Sequence, residues 1–122
     1  MTLDWKRWPN FQPWEFTCNR TGRCEMNEAF MDRLQRLRDI LGFSLVVNSG
    51  FRDPTHPVEA AKDRPGIHTL GRAVDIAAGS QKQFKIMKAA VELGFTGFGF
   101  ARTFIHIDDL DEAPRPNVWT YN

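Results

Sequence analysis

The first half of the chain contains a pattern of apolar residues that predicts one long amphipathic helix. Between residues 28 and 41, apolar side chains recur every three or four positions, which places them on one face of a helix. Asn27 is suited to cap this helix and Gly42 to end it. We therefore expect a helix from Glu28 to about Leu41 with one buried side. The residues on that side are Phe30, Met31, Leu34, Leu37 and Leu41.

A second helix is predicted from Ser80 to Leu93. Ser80 and Gln83 have the spacing of a capping box, in which two side chains bind free backbone amides at a helix start. Gly94 is suited to end this helix. Between the two helices, residues 53–67 contain three prolines and predict a long loop, which we expect to form a wall of a cleft.

Two segments alternate between apolar and polar residues, which predicts short strands. The apolar positions expected to face a core are Val74, Ile76, Ile105 and Ile107. In residues 72–78, Asp75 points away from that apolar face. In residues 104–108, His106 and Asp108 also point away from it. The polar faces of these strands therefore carry side chains capable of chemistry.

Two further segments complete the predicted sheet. Residues 44–48 predict a short buried strand, and residues 96–101 predict a strand or one arm of a hairpin. Gly97 and Gly99 indicate close backbone approach rather than a phosphate cradle, because no P-loop lysine follows. Short connections favour an α+β fold over a parallel doubly wound sheet. We expect a small, mainly antiparallel sheet with two helices on one side and a cleft on the other.

Composition narrows the class of protein. A chain of 122 residues is expected to form one domain over residues 1–122, with residues 1–24 as an irregular arm whose aromatic side chains pack on the core. A net charge of +1 argues against general nucleic-acid binding. There is no apolar run for a membrane span and no segment resembling a secretion signal. A disulfide between Cys18 and Cys24 is sterically possible, but we expect reduced thiols and a monomer.

Three residues are candidate metal ligands, namely His68, Asp75 and His106. Two imidazoles and one carboxylate hold a zinc ion while leaving its fourth position free, which distinguishes catalytic from structural zinc. A less specific interpretation also accounts for each residue. A single histidine in a strand is more often structural than a ligand, and Asp75 would then form an ion pair with Arg52 or Arg72.

Three motifs occur in the order typical of a known family. They are SGFR at 49–52, GIHTLGRAVDI at 66–76 and FIHID at 104–108. Together they resemble the signature of the zinc D-Ala-D-Ala carboxypeptidase family, and most closely its small peptidase domain. The segments WEFTC near the amino end and RPNVWTY near the carboxyl end also resemble edges of that family.

The resemblance implies roles for particular residues. His68, Asp75 and His106 would bind Zn²⁺, so the cleft on the far side of the sheet would be a zinc cleft. Arg52 would stabilise the substrate carbonyl as negative charge develops on its oxygen, which is a role suited to a fixed guanidinium. The alternative for Arg52 is a structural ion pair with a carboxylate of the loop.

The sequence departs from the family pattern at two points. Gly66 replaces the serine usually found two positions before the first histidine. In addition, relatives often carry a general base shortly before the last zinc ligand, whereas residues 101–105 contain none. Asp108 is the first candidate for this base, although it is equally suited to orient an imidazole. His56 is the second candidate and Glu59 the third.

The expected function is zinc-dependent hydrolysis of peptide bonds in peptidoglycan stem peptides, in particular bonds involving D-alanine. By resemblance, the protein would be made in the cytoplasm, lack a leader and act on the cell wall as a phage-encoded lysis enzyme or virion component. The second hypothesis is a non-catalytic, zinc-stabilised wall-binding or virion structural domain that has lost its base. The third is a metal-free α+β domain in which the same residues form ion pairs.

Overall fold

The computed structural model describes residues 3–57, 61 and 66–121. Its two long helices are α1 (Glu28–Leu41) and α2 (Ser80–Glu92). The five strands are β1 (Val47–Ser49), β2 (Ala73–Ala77), β3 (Gly97–Phe100), β4 (Phe104–Asp108) and β5 (Asn117–Thr120). Short 3-10 helices occupy Trp5–Arg7, Pro13–Glu15 and Ile67–Leu70.

The strands form one sheet in the order β1-β2-β4-β3-β5. Every neighbouring pair is antiparallel except β3 and β5, which are parallel. Strands β2 and β4 lie at the centre of the described sheet and pair along their whole length, from Ala73 opposite Asp108 to Ala77 opposite Phe104. The predicted α+β fold with a small, mainly antiparallel sheet is confirmed.

Helix α1 begins and ends where its sequence predicts. The Asn27 side chain accepts a hydrogen bond from the backbone amide of Phe30 at 2.9 Å, which satisfies one of the free donors of the first turn. Gly42 follows the helix in the left-handed region with a φ of 73°. The predicted face is buried, apart from the half-buried Leu41. Amphipathic spacing and local capping therefore suffice to define this helix.

Helix α2 has the predicted length, but the predicted capping box is wrong. Gly79 is the N-cap residue and Ser80 is already the first residue of the helix. Gln83 is buried, and its side-chain amide donates to the carbonyls of Ala78, Ala101 and Phe104 at 2.9, 2.8 and 3.2 Å. These carbonyls lie where strands end, and the Phe104 carbonyl also accepts from the backbone amide of Ala101 at 3.0 Å. The Gln83 side chain therefore satisfies buried carbonyls of the sheet instead of capping the helix.

One hydrophobic core fills the space between the two helices and the apolar face of the sheet. Aromatic residues of the amino-terminal arm belong to the same core, and the Trp8 indole donates to the Asp32 carboxylate at 2.9 Å. The fully buried members include Trp8, Phe11, Phe16, Phe30, Leu34, Val74, Ile76, Ile86, Ile105 and Ile107. The helices therefore cover one face of the sheet and leave the other free for a cleft.

The prediction of a buried strand at residues 44–48 is wrong. The observed strand β1 covers three residues, and the Val46 side chain is 59% exposed. Strand β1 is an edge strand that pairs with β2 alone among the described strands, with an irregular register between Val47 and Ser49. An edge position leaves one side of the strand in solvent, which a run of apolar residues in the sequence does not reveal.

Candidate metal centre

Strand pairing brings two of the predicted ligands together. Asp75 on β2 lies directly opposite His106 on β4, on the sheet face away from the helices. His68 lies on the 3-10 helix just before β2. This helix ends at Gly71, which is in the left-handed region with a φ of 67°. A Cβ atom on Gly71 would collide with the backbone of Glu25 and Met26. This position therefore requires glycine, and the turn returns His68 to the sheet as the sequence predicts.

The ligand atoms of these three residues converge. One atom from each of His68, Asp75 and His106 lies within 4.8 Å of the other two. His68 Nε2 is 3.5 Å from Asp75 Oδ2, and His106 Nδ1 is 3.2 Å from Asp75 Oδ1. Ligands about 2.0–2.1 Å from a tetrahedral zinc ion lie about 3.3–3.5 Å apart. The two separations are close to that spacing, and the third lies within 4.8 Å, so the donor set fits a zinc ion.

The protonation of the two imidazoles also suits metal binding. His68 Nδ1 lies 2.8 Å from the carbonyl oxygen of Gly50, which only accepts, so Nδ1 carries the proton and Nε2 keeps its lone pair. His106 Nε2 lies 2.7 Å from Asp108 Oδ2 and donates to that carboxylate, which leaves Nδ1 facing Asp75. Each imidazole is thus oriented by an acceptor on its far side, an arrangement common to metal-binding histidines.

Asp108 is held by a second charged partner. Arg115 donates to both carboxylate oxygens, with Nε 2.9 Å from Oδ1 and Nη2 2.8 Å from Oδ2. The Asp108 side chain is fully buried and that of Arg115 is 6% exposed. The missing side chain of Gly97 provides the space for this ion pair, since a Cβ there would collide with both residues. The sequence predicts close approach of backbone at this glycine, whereas the groups that approach it are the side chains of Asp108 and Arg115.

The electrostatics of the cluster favour ionised carboxylates. Burial alone would raise the pKa of Asp108, but hydrogen bonds from Arg115 and His106 outweigh it and lower that pKa to about 2. For Asp75, burial is likewise outweighed, in this case by the interaction of its carboxylate with His106 and His68 when these imidazoles are protonated, and its pKa is held well below the usual range. Burial opposes the charged form of His106, yet its two carboxylate partners raise its pKa. The site is therefore prepared to hold positive charge.

The three candidate ligands His68, Asp75 and His106 form a candidate metal cluster, which lies in a cleft with a volume of about 540 Å³. Arg52, Gly66 and Ile67 contribute to the wall on the side of the predicted loop, of which residues 58–60 and 62–65 lie outside the described part. The remaining lining comes from Phe104, Arg115, Trp119 and Tyr121 together with the three candidate ligands. The sequence did not predict Arg115, Trp119 and Tyr121 as cleft residues. Trp119 and Tyr121 nevertheless share one face of an extended segment.

The other residues singled out from sequence lie elsewhere. His56 lines a neighbouring polar cavity of about 100 Å³, which shares Arg52 with the metal cleft. Glu59 lies outside the described residues. Arg72 binds Asp109, with Nε 2.8 Å from Oδ1, so it does not form the ion pair with Asp75 that the alternative interpretation offered beside one with Arg52. Both cysteines are free thiols.

Two imidazoles, one carboxylate and an open cleft are features of the metallopeptidase class. The family model described as Peptidase M15 matches residues 9–108 of the chain. The chain therefore belongs to the Peptidase M15 family, the zinc-dependent family of D-Ala-D-Ala carboxypeptidases that its motifs resemble. No curated protein sequence matches the chain. Membership in this family implies a peptide substrate. No helix in the described ranges has the length and apolar character to cross a membrane.

Proposed function

We propose that this protein is a zinc peptidase that hydrolyses peptide bonds in peptidoglycan stem peptides, in particular bonds involving D-alanine. The observation that carries the proposal is the convergence of His68, Asp75 and His106 in a cleft large enough for a short peptide. Family membership supports hydrolysis of a peptide, and the resemblance to D-Ala-D-Ala carboxypeptidases supports this substrate class.

Each residue of the cleft has a proposed role. His68 through Nε2, His106 through Nδ1 and Asp75 through its carboxylate hold the zinc ion. These residues would hold a zinc ion that would supply Lewis-acid chemistry, which polarises a carbonyl oxygen and lowers the pKa of water to about 7. Arg52 lines the same cleft and stabilises the carbonyl oxygen of the substrate as its charge grows.

For Asp108, the surroundings support a positioning role over proton transfer. Its carboxylate is fully buried, is bound by Arg115 and His106, and lies outside the lining of the cleft. A general base must come within hydrogen-bond reach of the proton that it removes. We therefore propose that Asp108 fixes the His106 ring, and that His56, in the adjoining cavity, is the candidate for proton transfer.

The proposed place of action is the cell wall, which the enzyme reaches after synthesis in the cytoplasm as a phage-encoded lysis protein. The support for this setting is the family resemblance. We propose that the protein acts as a monomer.

The test is to measure metal content and peptidoglycan hydrolysis on one purified sample, with His68→Ala and Gln81→Ala beside the wild type. Gln81 is exposed on α2 and outside the metal cleft, so its variant controls for handling. We expect about one zinc per chain in the wild type and the control, with release of amines from the wall. His68→Ala should lose both. No metal uptake by the wild type would contradict the proposal.

A second function is supported by one feature of the sequence, the absence of an acid or histidine at residues 101–105. In that case the domain keeps zinc for stability and binds the wall without cleaving it. Stoichiometric zinc without hydrolysis of several wall types would favour this function. His106→Ala would then lower the melting temperature and change no activity.

A further inference from the structure

Strand β5 lies beyond residues 9–108, the part of the chain that the family model matches. One of its residues, Trp119, nevertheless lies in the same row across the sheet as the candidate ligands Asp75 and His106. Asp75 is opposite His106, His106 is opposite Gly99, and Gly99 is in register with Trp119. One line across four strands therefore joins the candidate ligands to the carboxyl-terminal strand.

Gly99 is the position that lets β5 reach the cleft. A Cβ atom there would collide with the indole of Trp119 and the ring of Tyr121. Because Gly99 has no side chain, the Trp119 indole lies across β3, and its ring centroid is 5.1 Å from that of His106. The Arg115 guanidinium lies 4.9 Å from the Trp119 ring centroid on another side. Trp119 is thus held by packing from two directions.

The Trp119 indole also lies beside the ring of Tyr121, because both rings reach the position that a Gly99 Cβ atom would occupy. A tyrosine hydroxyl donates one hydrogen bond as well as accepting, so the phenol of Tyr121 can serve as a donor in the cleft that it lines. Burial, which is the largest influence, raises the pKa of this phenol, so the O–H is intact at neutral pH.

The Tyr121 ring is also fixed against the cleft wall. Its centroid lies 5.3 Å from that of Phe104, two residues before His106, and the side chain is 46% exposed while lining the cleft. Arg52 follows β1 at one edge of the sheet, whereas Tyr121 follows β5 at the other edge. The metal cluster on β2 and β4 lies between them.

We propose that Tyr121 is a substrate-binding residue whose hydroxyl donates a hydrogen bond to a backbone carbonyl oxygen of a peptide that spans the cleft between Arg52 and β5. This inference rests on the proposed peptidase function for its kinetic consequence, whereas its binding consequence is independent of hydrolysis. Phe104 and Trp119 act as positioning residues that hold the phenol in place. The proposed hydrogen bond is to a carbonyl other than that of the reacting bond, so the interaction contributes about equally to ground state and transition state.

The experiment uses the zinc-loaded full chain and a stem pentapeptide whose D-Ala-D-Ala bond is replaced by a phosphinate, so that it is not cleaved. Tyr121→Phe removes only the hydroxyl. Thr120→Val removes a hydroxyl from the next residue, which is exposed and outside the cleft lining. Calorimetry should give a Kd about 3- to 10-fold higher for Tyr121→Phe and unchanged for Thr120→Val, as for loss of one neutral hydrogen bond.

Kinetics with the cleavable pentapeptide give a second readout. Tyr121→Phe should raise KM about 3- to 10-fold while kcat stays within about twofold, because uniform binding is lost. Melting temperatures of both variants should match that of the wild type, which a purely structural role of the hydroxyl would not predict. If the wild type binds the phosphinate peptide but hydrolyses nothing, weaker binding by Tyr121→Phe still supports this inference and contradicts the proposed function. Equal binding by wild type and Tyr121→Phe, or no binding by either, would overturn the inference.

Discussion

The two faces of the central strands carry opposite kinds of residues at alternating positions. On the helix side, Ile105 and Ile107 are fully buried in the hydrophobic core. On the cleft side, His106 and Asp108 from the same strand are almost as completely buried, at 3% and 0% exposure. Burial is therefore similar on both faces, and what differs is how each face is stabilised. The apolar face needs only contact area, whereas every buried charge needs a matched partner.

This comparison shows how the two tasks of the sheet are separated. Substitutions on the helix side should change stability and leave metal binding of the folded protein intact. Substitutions on the cleft side should change metal binding first, and stability only where a buried charge loses its partner. The changes below test that separation.

The largest effect is expected from His106→Ala, which removes a ligand from the centre of the cleft face. Bound zinc should fall from about one per chain to near zero, and hydrolysis should fall by roughly a thousandfold or more, since a catalytic metal contributes several kcal/mol. Metal analysis and wall hydrolysis measure this. Retention of stoichiometric zinc would show that His106 is not a ligand.

Asp108→Asn should affect both the stability of the protein and its affinity for zinc. It removes the negative charge that Arg115 and His106 share, so a buried cation loses its partner and unfolding becomes about 3–5 kcal/mol easier. Zinc affinity should fall about 10- to 100-fold, as found when an imidazole loses its orienting carboxylate. Denaturant titration and competition with a chelator measure the two effects. An unchanged zinc affinity would contradict the positioning role of Asp108.

Ile107→Ala is the matched substitution on the helix side of the same strand. It should cost about 2–5 kcal/mol through lost burial and a residual cavity, which lowers the melting temperature by about 10 °C or more. The variant that remains folded should still bind one zinc with wild-type affinity. Loss of zinc from folded Ile107→Ala would show that the two faces are not independent.

Gly99→Ala should have a smaller effect that appears mainly in the cleft. The added methyl group collides with Trp119 and Tyr121, and overpacking of this kind costs about 1–3 kcal/mol. Gly79→Ala is the reference variant, because its Cβ meets nothing within 4 Å and only the less favourable N-cap residue, at about 0.5–1 kcal/mol, should affect stability. Thermal melting and peptide affinity should separate the two variants, and equal behaviour would argue against close packing at Gly99.

The smallest effect is expected at Val118, whose side chain is 53% exposed on the outer strand. Val118→Thr keeps the branched shape and should change stability by less than about 0.5 kcal/mol, with activity unchanged. A large loss of stability in thermal melting would mean that this face of β5 is covered in solution.

Much of the fold and site follows from local sequence. The limits of α1, the strands around Asp75 and His106, and the turn before β2 were predicted from periodicity, capping and glycine placement. Local sequence failed at Ser80, where the capping box is absent, and at residues 44–48, where the strand lies at an edge. In both cases the outcome depends on neighbours distant in the chain, which compete with local preference.

The sequence by itself determined which residues alternate, which chemical groups they carry and which family the motifs resemble. Only the tertiary structure decided that Gly50 and Asp108 orient the two imidazoles, that Arg115 neutralises Asp108, and that β5 forms a wall of the cleft. The reason is that periodicity assigns a side chain to a face, whereas hydrogen bonds and ion pairs depend on distances of a few ångströms between separate segments. Those distances are set by strand order and register, which the spacing of residues along the chain does not specify.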